Sequence, residues 1–215
     1  MTPTQIEDAA RAQYNAVNDT FFTQAEILRL MYRGCAELAS KAQIIERSYT
    51  TTSVADQKEY SYPTNTHSIV RVEYNGAPLQ KLSLREEDSI RYSNASTVVS
   101  GTPRYYSIFD FTLRLTPAPD TAGVTIKVFS YNQPQDISIT STLEIPTLFH
   151  DGLIDYILSK MYAKDGNMAA SQYHMTLWKE VVQDAVRWKA RMKRSNAYAV
   201  VGDEESLEVT VLGAI

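Results

Sequence analysis

The sequence predicts an α+β fold: a helical bundle core interrupted by an inserted antiparallel β domain, with an extended C-terminal arm. Three observations carry that expectation. Apolar residues recur at three- and four-residue steps near both ends of the chain, whereas the middle breaks into short runs rich in Thr, Tyr, Val and Ile, divided by Pro, Gly and Asn. The last residues alternate apolar and polar with no hairpin partner close by. Both ends of an insertion return to one place, so helices flanking a β segment put residues 1–43 and 146–194 in one helical core. Residues 44–145 then form the inserted β domain and residues 195–215 the arm.

The first segment, residues 4–17, is weakly amphipathic. Thr23-Gln24-Ala25-Glu26 then has the Thr-x-x-Glu form of a capping box, and a helix is expected to start there. Ile27, Leu30, Met31, Cys35, Leu38 and Ala42 give it one apolar stripe. In the β segment, residues 69–74 alternate and meet Asn75-Gly76, the strongest short hairpin signal, before residues 77–82. Runs at 104–109, 112–116 and 124–131 complete an expected meander, with Asp110-Phe111 and Pro117-Ala118-Pro119-Asp120 at its turns. Residues 83–90 read as a short helix between strands.

Past Ile145-Pro146 the helical period returns with Leu153, Ile154, Ile157, Leu158 and Met161, stopped near Asp165-Gly166-Asn167. Asn167 is placed to cap the last helix, whose core face is Trp178, Val181, Val182, Ala185, Trp188 and Met192.

A chain of 215 residues can bury a real core without staples. The only cysteine, Cys35, lies on a helical apolar face, so it reads as core packing and the chain suits a reducing compartment. A net charge of -4 with a pI near 5.4 argues against generic nucleic-acid binding. No basic leader or spanning apolar run is seen, so synthesis in the cytoplasm and no membrane contact are expected. Fourteen Tyr against six Phe suggests half-wet aromatic sites, which subunit interfaces favour, and makes exposed Tyr candidate contact residues.

The residues offer little to an enzyme. His67, His150 and His174 show no metal-ligand spacing, and the few scattered glycines supply neither nucleotide fingerprint, so no cofactor is implied. His150-Asp151 matches a dipeptide of metal-dependent phosphohydrolases but lacks further ligands; a polar first helical turn explains it. Glu86-Glu87-Asp88 reads as a solvated face. Arg187, Lys189, Arg191, Lys193 and Arg194 are different, because five cations with no intervening acid exceed what the end of a helix dipole uses. They are candidates to face an acidic partner or DNA.

Several short motifs, in order, carry a resemblance. Leu113-Arg114-Leu115-Thr116-Pro117-Ala118-Pro119 is followed by Tyr131-Asn132-Gln133-Pro134, then by Glu144-Ile145-Pro146 before Phe149-His150-Asp151-Gly152-Leu153-Ile154-Asp155-Tyr156. Tyr162-Ala163-Lys164-Asp165-Gly166-Asn167 ends the same helix. Over about residues 20–194 this order resembles phage head-to-tail adaptor proteins of the tail tubular or gatekeeper kind. The resemblance implies a virion component at the head-to-tail junction: a structural subunit of a ring, twelve-fold in that family, joining the portal protein to a tail or nozzle protein. DNA would pass through its channel without sequence-specific binding.

The arm carries its own expectation. Leu207, Val209, Val211 and Leu212 follow the acidic joint Asp203-Glu204-Glu205, and a lone strand must find its ladder elsewhere: on the portal or an adjacent subunit, the expectation here, or, as the alternative, on the chain's own β insertion. Two other classes compete with the adaptor reading: a β-rich carbohydrate- or receptor-binding module of a virion, for which an aromatic platform on one sheet face is required, and a hydrolase built on His150 and Asp151.

Overall fold

A computed structural model describes residues 1–15, 21–93 and 100–199. Helix α1, Pro3–Tyr14, starts where Thr2 accepts from the Gln5 amide while Gln5 bonds back to the Thr2 amide, with Pro3 supplying a preset φ in the first turn. Helix α2, Gln24–Ala42, begins at the expected cap: the Thr23 hydroxyl accepts from the Glu26 amide at 3.3 Å, and the Glu26 carboxylate accepts from Lys164. All six residues of its expected stripe are buried.

Among the described residues the β segment forms two four-stranded sheets and a two-stranded one rather than one meander. Strands β1 (Glu46–Thr52), β2 (Glu59–Ser61), β3 (Thr66–Tyr74), β4 (Ala77–Pro78) and β5 (Gln80–Lys81) precede helix α3, Leu84–Ser93. After it come β6 (Ser100–Gly101), β7 (Tyr105–Phe109), β8 (Thr112–Thr116), β9 (Ala118–Pro119) and β10 (Thr125–Asn132). One four-stranded sheet has the order β1-β10-β3-β4 and the other β2-β8-β7-β5. The Asn75-Gly76 hairpin forms, with both residues at positive φ, but its ladder stops after Glu73↔Pro78 and Tyr74↔Ala77. Gln80 and Lys81 cross to the second sheet and pair in parallel with Tyr105 and Tyr106, so the β segment is not wholly antiparallel. Ala118 and Pro119, expected in a turn, pair in parallel with Ser100 and Gly101. The cause is long-range: β10 pairs with β1 and β3, far from it in sequence, and local alternation cannot announce such partners.

The facing sides of the two sheets bury Val72, Tyr74, Ile126 and Val128 from one and Tyr60, Tyr106, Leu113 and Leu115 from the other. A second apolar cluster gathers both ends of the chain: Ile6 and Ala10 of α1, the α2 stripe, and the last two helices. These are α4, His150–Lys164, which follows a short 3-10 turn at Thr147–Phe149, and α5, Met168–Ala199.

Helix α4 shows more than one buried stripe. Gly152, Tyr156 and Ser159 are buried together with the expected residues, because α1, α2 and α5 all pack around it. Two glycines set how closely those helices approach. A Cβ on Gly152 would lie 2.6 Å from Val181 Cγ1 of α5, and one on Gly34 of α2 would lie 2.8 Å from Leu153 Cδ2. The Asn167 side chain accepts from the Ala170 amide at 3.2 Å, the cap expected for α5. Residues 195–199 continue α5 instead of opening the extended arm, since nothing between Ser195 and Ala199 breaks a helix. The remaining arm residues, including Leu207, Val209, Val211 and Leu212, lie outside the described residues.

Candidate partner-binding surfaces

The basic end of α5 divides in two. Lys189 is 9% exposed; its ammonium donates to Glu46 at 2.6 Å, at the start of β1, and stands over the Tyr131 ring. Lys193, one turn on, donates to Gln43 at 3.1 Å and covers the same ring at 5.0 Å. Lys189 is therefore engaged within its own chain, whereas Lys193, although it reaches Gln43, remains exposed. Past Trp188 the helix leaves the helical cluster and runs over the end of the β1-β10 sheet, which supplies a carboxylate and an aromatic face. The same change of surroundings leaves Met192, expected in the core, 46% exposed, while Lys189 takes the inward position. Arg187 and Arg191, four residues apart, present an exposed face instead; Arg187 makes only a solvent-exposed pair with Asp184 at 3.2 Å. The Arg194 side chain lies outside the described residues.

A groove of about 440 Å³ opens beside β3. Tyr62, Ile69, Leu82, Leu84, Ile108 and Phe111 give it apolar walls, and His67 and Lys81 stand among its polar lining. On this side β3 has β4 as its ladder partner only at its far end, so the outer edge of residues 66–70 carries no strand among the described residues. The wall formed by the β7-β8 turn is unusual. Asp110 and Phe111 both have positive φ, as a tight two-residue hairpin of this twist requires, and Phe111 lacks the ease of Gly there. The turn thereby holds Phe109 and Phe111 outward at 53% and 56% exposure. Nothing in the sequence pattern marks this groove, because its walls come from four separate runs that only the crossover at Leu79 brings together.

Glu87 overturns the reading of Glu86-Glu87-Asp88 as a solvated face. It is 2% exposed, and its carboxylate accepts from the Lys58 ammonium and the Ser107 hydroxyl. Burial opposes its charge, but those two hydrogen bonds and the Lys58 and Arg114 charges outweigh it and hold the carboxyl below its ordinary range. Glu86 caps α3 instead, exchanging hydrogen bonds with Ser83, while Asp88 is exposed.

His150 is buried rather than set in a polar first turn: one ring nitrogen is 3.0 Å from the Ile145 carbonyl and the other 2.9 Å from the Met1 amino group. Asp151 beside it is exposed. His174 lies 2.9 Å from Asp155 and stacks on Tyr162, and His67 sits far from both, on the groove. Among the described residues no three His, Cys, Asp or Glu side chains are grouped to hold a metal ion. Cys35 is buried in the helical cluster, where burial first and the Glu144 charge second push its thiol up to about 12. Of the tyrosines whose burial is described, only Tyr49 and Tyr173 are exposed; Tyr60, Tyr74, Tyr106, Tyr131 and Tyr156 are in the cores.

Open strand edges, an apolar groove and an exposed arginine face are the equipment of a structural adaptor, a protein that acts by binding other proteins. The family model of the SU10 adaptor protein matches residues 1–202, and the chain belongs to that family, in keeping with its resemblance to phage head-to-tail adaptors. A search of curated proteins found no match. No helix among the described residues is long and apolar enough to cross a membrane.

Proposed function

We propose that the chain is one subunit of a phage head-to-tail connector ring that docks under the portal protein and joins it to a tail or nozzle protein around the DNA channel. The observation that carries this reading is the family match over residues 1–202. The division of apolar residues supports a division of labour: one cluster unites α1 and α2 with α4 and α5, and a separate one fills the space between the sheets. Residues 1–43 and 146–194 form the ring body, and residues 44–145 are the inserted β domain that makes outward or tailward contacts. A closed ring repeats one heterologous contact, so each subunit presents two different complementary faces to its neighbours. Twelve-fold symmetry is the expectation from the resemblance.

The exposed face of Arg187 and Arg191 meets an acidic neighbour or the passing DNA, without reading its sequence. Residues 207–212 of the arm bind the portal or an adjacent subunit by strand addition. The protein works by binding and carries no catalytic step. Made in the host cytoplasm, it stays monomeric in dilute solution until the portal templates the ring. Electron microscopy of the protein mixed with its portal tests this. A ring of copies seated coaxially beneath the portal is expected; failure to bind portal, or a stable ring at low micromolar concentration without it, overturns the reading.

A further inference from the structure

We propose that in the free subunit the groove beside β3 is occupied by residues 207–212 of the same chain, added as a strand to the open edge of residues 66–70. This rests on the reading of that segment as a strand in need of a ladder and goes beyond it by naming where the strand lies before assembly.

Reach is the first ground. The Lys193 ammonium is 5.0 Å from the Tyr131 ring, and Tyr131 pairs with Ser68 in the neighbouring strand. The outer side of β3 is thus two strand spacings, about 10 Å, from the residue that α5 touches. Six more helical residues to Ala199 add about 9 Å, and residues 200–206 span up to about 23 Å when extended, so Leu207 can return to the groove.

Chemistry is the second ground. Leu207, Val209 and Val211 share one face of a strand, and the groove offers Ile69, Ile108, Leu84 and Phe111 to that face. The acidic run Asp203-Glu204-Glu205, just before the strand, meets Lys81 and His67 of the groove lining, while Glu208 faces away from it. The other open edge near the end of α5 is β1, which has no partner on its outer side among the described residues. It is a poorer receptor, because its run from Ser48 to Thr52 is hydroxylic except for Tyr49 and supplies one apolar side chain where the groove supplies several. Held in its own groove, the strand is unavailable to neighbours until a better partner displaces it.

Hydrogen exchange on the full chain and on a chain lacking residues 203–215 tests the proposal. The amides of residues 66–70 should lose protection in the shortened chain and regain it when a peptide of residues 203–215 is added. Val209→Asp in the full chain should cause the same loss while the amides of α4 keep theirs, which separates release of the strand from unfolding. A Ser68→Cys, Val209→Cys pair should form a disulfide within one chain at every dilution. Unchanged protection at 66–70, a loss at 46–52 instead, or cross-links only between chains overturns the proposal. Attachment to filled heads is scored separately. If the shortened chain still attaches, the arm's role at the portal fails while the groove assignment stands; if attachment is lost and residues 66–70 are unaffected, the reverse holds.

Discussion

Removing the Glu87 carboxylate is the sharpest test of how α3 is held. Glu87 is the one fully buried side chain of α3 among those described, with Ile90 half-buried, so a charge makes a main contact of the helix with the sheet. Glu87→Gln keeps the shape but removes the negative charge that Lys58 faces and replaces one of the two oxygens that accept from Lys58 and Ser107 by an N–H donor. Breaking a fully buried pair costs about 3–5 kcal/mol, but the Lys58 side chain is 26% exposed and can turn to water, so about 1.5–3 kcal/mol is expected. Urea unfolding followed by far-UV circular dichroism reads the loss, and hydrogen exchange over residues 84–90 locates it. Acid should act in the same direction. Because the folded carboxyl is held below its ordinary range, its contribution is fully present above the unfolded value and fades as pH falls through the lowered folded value. Glu87→Gln should therefore be less stable than the parent at neutral pH, and the gap should close in acid. A Lys58→Met, Glu87→Leu, Ser107→Ala triple variant, which removes the three polar partners together, should recover most of the loss. A gap that stays constant with pH, or a single variant as stable as the parent, refutes the docking of α3 by charge.

Other outcomes follow from the helical core and the α5 surface. Gly152→Ala forces a methyl toward Val181, and overpacking of about 1–3 kcal/mol should exceed the gain of roughly 1 kcal/mol in helix propensity, lowering the urea midpoint; a raised midpoint counts against the close α4-α5 contact. Ser159 is fully buried with no hydrogen-bond partner for its hydroxyl among the described residues, so Ser159→Ala should be neutral or stabilising by up to about 1 kcal/mol in the same titration. Arg187→Glu with Arg191→Glu should change stability by no more than about 0.5 kcal/mol per site yet reduce attachment to filled heads, whereas Lys189→Ala should lower the thermal midpoint through the lost Glu46 pair. Equal effects of the two changes on attachment would place Lys189 on the same functional face as Arg187 and Arg191. His150→Ala should reduce particle yield only as far as it destabilises α4, because the buried ring ties the Ile145 carbonyl to the chain start; a yield loss with an unchanged melting temperature would reopen a chemical role.

Local chemistry made much of this protein legible. The α2 stripe from Ile27 to Ala42, the Thr23 and Asn167 caps and the Asn75-Gly76 turn are each set within a few residues, by side-chain spacing, a cap hydrogen bond or allowed φ, so reading them requires no knowledge of distant neighbours. Short motifs in a fixed order likewise pointed to the adaptor family. What tertiary structure decided is where a residue's environment comes from elsewhere in the chain. Glu87 looks solvated beside Glu86 and Asp88 until Lys58 and Ser107 are folded against it, and Lys189 looks like its neighbours until β1 and β10 bring Glu46 and Tyr131 beneath it. The same holds for the sheets. Alternation fixes which face of β10 is apolar but not that β1 and β3 flank it, because strand partners are chosen by which distant edges can bury that face together. The groove beside β3 exists only because the chain leaves its hairpin after Leu79 to join the second sheet, a step settled by packing between sheets and by no residue within the hairpin itself.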